Sequence, residues 1–319
     1  MRNEPKSSKS TSKSPNPKQN QQILLIVLLV LVCILGFELM RGRLLGKKKG
    51  KANEPVANAV QDTTKKDVDK KISAEDSISR VYAPAVFRQE QMKQQRVKDA
   101  FKLKGDTLQK LYKKAGLDAN SLNIYIRAFK KEQVVEVWGA DKNTDAFKLI
   151  RTYKFCKTSG KLGPKRKAGD DQIPEGFYKI DRFNPQSRYH LSLGLNYPNK
   201  VDKKLGDTTD LGNDIFIHGG CATIGCIPIT DDKIKELYLM AIDARSAGQK
   251  NISVTIFPAR LTEEGMRSLK VQHQDEPANL KFWASLRKGF QYFEDCKRLP
   301  SITLTEKGEY ICKSACGGD

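Results

Sequence analysis

A chain of 319 residues has room for one large domain or two modest ones. Apolar residues make up 39%, and lysine and arginine outnumber acids 57 to 37, so the +20 charge favours anionic partners: phospholipid headgroups, acidic wall polymer or nucleic acid. No basic motif interleaved with aromatics and no helix-turn-helix pattern occurs, which sets nucleic acid aside, and seven cysteines without a CxxC pair are too few for a disulfide scaffold.

Residues 1–22 are polar, basic and rich in Ser, Asn and Pro, the composition of a disordered tail. The run ILLIVLLVLVCILGF, Ile23 to Phe37, has no polar side chain and continues to Met40. Its helical length of roughly 22–27 Å comes close to a hydrocarbon core. GFELMRG is a poor cleavage site and Cys33 follows Val32, so an uncleaved single anchor at 23–40 is expected rather than a signal peptide. Five basic residues precede the anchor and six follow it by Lys51, so charge leaves its orientation open. Residues 41–79 read as a charged linker.

Residues 80–119 form a helical lead-in. Phe87, Met92, Val97, Phe101, Leu108 and Leu111 predict two helical pieces broken near Gly105. NIYIRAF, VVEVWGA and FKLIRTYKF are three strands, turned at KKEQ and DKNTD. A Gly/Pro-rich loop leads to a strand at Phe177–Ile180, and YHLSLGL and DIFIHG alternate likewise. Thr230 is the expected N-cap of a helix with Ile234, Leu237, Tyr238 and Ala241 on one face, stopped at Gly248. ISVTIFP closes as a strand. Residues 263–319 are an extension with a helix around Trp283–Phe293 and a strand at SITLT. The body, centred on 120–262, is mainly β with flanking helices (α+β).

The chemistry concentrates in FIHGGCATIGCIPIT, residues 216–230, which holds one of three histidines and two of seven cysteines. His218 ends a strand before two glycines, and Cys226 follows Gly225. A cysteine attacks as thiolate, and a nearby imidazole favours that anion and returns the proton to a leaving amine. Activation by His218 therefore predicts a thiol reactive well below pH 8. The Gly225 and Cys226 amides are candidates for an oxyanion hole. Other readings of the same residues are a purely structural histidine, or a zinc site of His218, Cys221 and Cys226 with His190 or Asp214. A Cys221–Cys226 disulfide would silence the nucleophile. Cys296, Cys312 and Cys316 allow a disulfide near the C-terminus, its connectivity open.

HGGCATIGCIPIT resembles the active-site signature of YkuD-type L,D-transpeptidases, a His-Gly followed by Ser/Thr-x-Gly-Cys. Here these are His218-Gly219 and Thr223-Ile224-Gly225-Cys226. The likeness continues through GKLGPKRKAGDDQIPEGFYKI, NPQSRYHLSLGLNYPN, DDKIKELYLMA and VTIFPARLT, and is strongest to the short-loop, murein-processing YafK-like branch. Only four residues separate His218 from Thr223, and Ile224 and Pro228 stand where many members have histidine and arginine. The resemblance implies a β-rich catalytic domain at 120–262 in which Cys226 is the nucleophile and His218 the proton acceptor and donor. The Gly219 carbonyl orients the imidazole, and the Gly225 backbone joins the oxyanion hole. Tyr189, His190 and Thr223 are candidate substrate-binding residues. The implied substrate is a peptidoglycan stem peptide, attacked at the L-centre of a diamino acid and passed to an amine. The alternatives are a hydrolase using water, or a non-catalytic wall-binding module. No metal or cofactor is implied. The resemblance also implies a single-pass protein of the bacterial cytoplasmic membrane, with the catalytic domain on the periplasmic side and the basic tether near anionic lipid or wall polymer.

Overall fold

Residues 122–129 are apolar at every even position and carry the aromatics Tyr125 and Phe129 among the odd ones, the pattern of a strand covered on both faces. In the computed structural model this segment is a central strand, with Ile124, Ile126 and Ala128 in one core and Tyr125 and Phe129 in cores on the other side. The structure describes residues 84–142, 144, 146–207, 209–313 and 316. All belong to one of the two units into which the chain divides, Lys66–Asp319, and only that unit is described.

The strands are β1 (Leu122–Phe129), β2 (Val134–Asp141), β3 (Lys148–Lys154), β4 (Gly176–Asn184), β5 (Ser192–Leu195), β6 (Phe216–His218), β7 (Ile227–Pro228) and β8 (Ser253–Phe257). They form one sheet in the order β3-β2-β1-β8-β4-β5-β6-β7. The first three are an antiparallel meander, β8 lies parallel to β1, and β6 lies parallel to β7. β4 pairs with β8 through its first half and with β5 through its second, across an irregularity between Ile180 and Arg182. A separate hairpin joins β9 (Ile302–Leu304) and β10 (Tyr310–Cys312).

One face carries α1 (Pro84–Met92), α2 (Gln95–Ala115) and α4 (Asp231–Ser246), with α4 between the other two helices and β1, β5 and β6. The sequence predicts one buried face for α4. The structure buries ten of the eleven positions from Ile234 to Ala244, all but Lys235, because helices and sheet enclose it. The two acids this entails are paired: Glu236 with Lys104 and the Tyr153 hydroxyl, Asp243 with Arg88 and the Tyr112 hydroxyl. The opposite face is covered by α6 (Pro277–Cys296), whose Trp283, Leu286 and Phe290 pack with Phe129 and Phe257.

The helical lead-in does not break near Gly105. The break falls at Lys93–Gln94, and α2 runs through Gly105 to a left-handed Gly116. Val97 and Ala100 before the glycine and Leu108 and Tyr112 after it are all buried. That packing outweighs the roughly 1 kcal/mol that glycine costs inside a helix. Two helices go unannounced by periodicity: α3 (Lys200–Leu205), closed by an Asn199–Asp202 capping box, and α5 (Glu263–Gln272), capped by Thr262. The tail, anchor and linker expected at 1–22, 23–40 and 41–79 lie outside the described residues. Among the described residues no helix is long and apolar enough to cross a membrane.

Candidate active site

At the β5–β6–β7 end of the sheet, alternation separates two chemistries. Leu191, Leu193, Ile215, Ile217, Ile227 and Ile229 enter the core under the helices. Their neighbours in register, Ser192 opposite His218, Gly194 opposite Phe216 and His218 opposite Pro228, belong to the other face. Since Ile217 pairs with Ile227, Cys226 falls on the same face as Phe216 and His218. The Phe216 amide donates to Cys226 Sγ at 3.4 Å. The sheet register thus puts His218 and the free thiol of Cys226 on one face.

His218 is 2% exposed. Its Nδ1 lies 2.5 Å from the Gly219 carbonyl oxygen, which can only accept, so Nδ1 carries the proton and Nε2 keeps its lone pair. Tyr189 stacks on the ring at a centroid distance of 4.5 Å. Gly219 has no room for a side chain: a Cβ there would come within 2.5 Å of Asp231 Oδ1 and 2.6 Å of the Tyr189 carbonyl. Asp231, the first residue of α4, accepts from the Gly220 amide at 2.6 Å and so draws the glycine turn onto the helix.

Burial is the largest influence on both His218 and Cys226. It lowers the His218 pKa, against the Gly219 hydrogen bond and the charge of Asp231. It raises the Cys226 thiol, against the Phe216 amide and Lys165, while Asp214 adds to the rise. Both shifts favour the uncharged forms, a neutral thiol and a neutral imidazole, and so run against the expectation of a thiolate reactive well below pH 8.

The Gly/Pro-rich loop 155–175 forms a wall of the site. Asp170 gathers the amides of Arg166, Lys167 and Gln172 and the Lys165 ammonium. The Gln172 carbonyl would lie 3.0 Å from a Cβ on Gly225, which itself adopts φ 135°. A glycine is needed there on both counts.

Several relatives of known description match the chain. The family model described as the YkuD L,D-transpeptidase catalytic domain matches residues 123–246. "Putative L,D-transpeptidase YafK" of Escherichia coli K12 is 34% identical over 190 residues, covering 59% of this chain and 73% of the relative. The chain belongs to the YkuD family of L,D-transpeptidase catalytic domains. Solved structures are more distant. A variant of the helical cell shape determining protein Pgp2 from Campylobacter jejuni superposes with a TM-score of 0.35 at 19% identity, over 55% of this chain and 62% of that one. Bd1075 of Bdellovibrio bacteriovorus gives a TM-score of 0.32 at 21% identity, over 58% and 77%. Likenesses this distant carry no functional argument.

Within this YkuD-family site the sequence candidates fall in different places. His218, Gly219, Tyr189 and Cys226 share one locality. Thr223 is a brace within the loop: its Oγ1 accepts from the Gly225 amide at 3.1 Å and donates to the Cys226 carbonyl at 2.7 Å. The Gly225 amide expected in the oxyanion hole is therefore already bonded. His190 adopts φ 68°, its carbonyl accepts from Arg96 of α2, and the charges that act on its ring are those of Asp231, Lys235, Arg96 and Asp99. That environment belongs to the helical side of the sheet, not to the face of Cys226. Cys221 pairs with Cys156, not Cys226, which leaves Cys226 a free thiol and removes Cys221 from the zinc ligand set. Cys296 pairs with Cys316, leaving Cys312 free. Thr230 does not cap α4: it adopts φ 74° and makes no side-chain bond to the helix, whose first turn carries Asp231 and Asp232 instead. Reading the sequence as strands missed Arg182. The expected strand stopped at Ile180, although Asp181-Arg182-Phe183-Asn184 continues its alternation.

Proposed function

We propose that this protein is a cysteine acyltransferase of peptidoglycan, an L,D-transpeptidase that takes a stem peptide onto Cys226 and passes it to an amine. The observation that carries the reading is the commitment of His218 Nδ1 to the Gly219 carbonyl, which leaves a basic Nε2 on the face that holds Cys226. Cys226 Sγ attacks the scissile carbonyl as Nε2 takes its proton. The carbonyl oxygen becomes an oxyanion, for which the Cys226 amide is the assigned donor, since Gly225 N–H is held by Thr223. The imidazolium then protonates the departing nitrogen, leaving a thioester and a neutral His218. An acceptor amine, deprotonated by the same Nε2, attacks the thioester and expels the thiol. A lowered His218 pKa suits this cycle because the base form predominates at neutral pH. The two disulfides support an oxidising compartment, and with it a catalytic domain on the periplasmic side of an anchor at 23–40.

The test is incubation of the full-length protein in detergent with tetrapeptide muropeptides, followed by mass spectrometry of protein and products. An acyl adduct on Cys226 and new cross-linked dimers are expected, both lost in Cys226→Ala. Shortened or released stems without dimers would make water the acceptor. Absence of any adduct would overturn the chemistry.

A further inference from the structure

Two strands away from its own position, the Arg182 side chain reaches the nucleophile's neighbourhood. Arg182 of β4 lies opposite Gly194 of β5, and Gly194 lies opposite Phe216 of β6. A Cβ on Gly194 would come within 2.8 Å of Asp181 Oδ1 and 3.0 Å of Arg182 Nε, so the arginine lies flat over the strand only because that residue is glycine. Its guanidinium sits 5.2 Å from the Phe216 ring centroid, and the Phe216 amide touches Cys226 Sγ. Arg182 Nη2 donates to Asp214 Oδ1 at 2.8 Å and Nε to Asp181 at 3.2 Å. The side chains of Arg182 and Asp214 remain 44% and 53% exposed, so the pair is open to solvent rather than enclosed.

An exposed ion pair of this kind contributes little to stability, about 0–1 kcal/mol. As a binding surface it has a definite character. With a second acid, Asp181, on the guanidinium, the patch is not cationic and would not hold a bare carboxylate well. It offers one fork of donors and one acceptor a few ångströms apart, the complement of an amino-acid centre carrying both ammonium and carboxylate.

We infer that Arg182 and Asp214 form the reader of a zwitterionic amino-acid centre on the acyl-donor peptide, Arg182 taking its carboxylate and Asp214 its ammonium beside the acyl group on Cys226. This rests on the acyl-transfer reading above and names its substrate class. It also supplies a charged recognition element on β4 and just before β6, where the position two residues after Cys226 is Pro228.

The experiment uses the full-length protein and three synthetic stem peptides. One has a free second centre on its diamino acid, one has that centre N-acetylated, and one has its carboxylate amidated. Formation of the Cys226 adduct is timed by intact-protein mass. The free peptide should acylate with kcat/KM about 10–100-fold above either blocked peptide, the range of one charge-assisted hydrogen bond. Arg182→Gln should remove the preference over the amide, and Asp214→Asn the preference over the acetyl peptide. Any change Asp214→Asn makes to the thiol itself cancels in the ratios. Equal adduct rates on all three peptides with the unmodified protein would overturn the inference while leaving Cys226 chemistry standing. No adduct on any peptide would mean that the acyl-transfer reading had failed first.

Discussion

At the scale of single residues, the consequence of burial is a site that rests uncharged. His218 holds its proton on Nδ1 and sits below its ordinary pKa, while Cys226 sits above its own. A preformed thiolate–imidazolium pair would need both shifts reversed. The proton therefore moves during attack, and the pH dependence follows with a definite sign. Protonation of Nε2 removes the base, so adduct formation falls as pH drops through the His218 pKa, which lies below 6.5. Activity should be flat from about pH 6.5 upward to the thiol's own ionisation. Alkylation of Cys226 by iodoacetamide, which needs thiolate and no base, should stay slow until above pH 9. An alkylation midpoint between pH 5 and 7 would show the charged pair and discard this account of the resting state.

At the scale of elements, the loop from Gly219 to Thr230 is fixed from several directions. Asp231 holds Gly220, Thr223 holds the turn before Cys226, and the Cys156–Cys221 disulfide ties the loop to the segment following β3. The bridge spans 65 residues of sequence, so its removal releases a long constraint on the unfolded chain. Cys156→Ser/Cys221→Ser should lower unfolding free energy by about 2–5 kcal/mol in denaturant titration. A loss below about 0.5 kcal/mol would mean that the loop is held by its other ties alone. How much of this was legible in the sequence depended on range. Strands with local alternation, NIYIRAF, VVEVWGA and DIFIHG, stand where periodicity puts them, and the motif of His218 and Cys226 lies within one short segment. The partner of Cys221 is 65 residues away, and nothing local selects Cys156 over Cys226. Gly105 and Thr230 carried strong local signals, for a helix break and a cap, and tertiary packing overrode both. Arg182 was hidden because its function depends on Gly194, a neighbour known only once the strands are in register.

Across the whole unit, the wall of the site is fastened to the opposite end of the chain. Lys130, just past β1, donates to the carbonyls of Gly163 and Ile173 and pairs with Glu175 at 2.9 Å. Glu175 also accepts from the Gly163 amide and from the Trp283 indole of α6. All three side chains are buried, and burial lowers the Lys130 pKa. This cluster stitches β1, both ends of the wall loop and α6 together, and the same loop presses Gln172 against Gly225. Lys130→Met should destabilise by about 3–5 kcal/mol, since it strands a buried carboxylate. Trp283→Phe should lose about 1–3 kcal/mol through the unpaired acceptor. Both act through one carboxylate, and the bond it makes to the indole is not the same once its buried ammonium partner is gone. The double variant should therefore fall short of the sum by more than about 0.5 kcal/mol in urea unfolding. Strict additivity would separate Lys130 from Trp283 and leave the C-terminal helix as packing only. Sub-additivity accompanied by slower Cys226 acylation would make that helix part of the machinery that shapes the active-site wall.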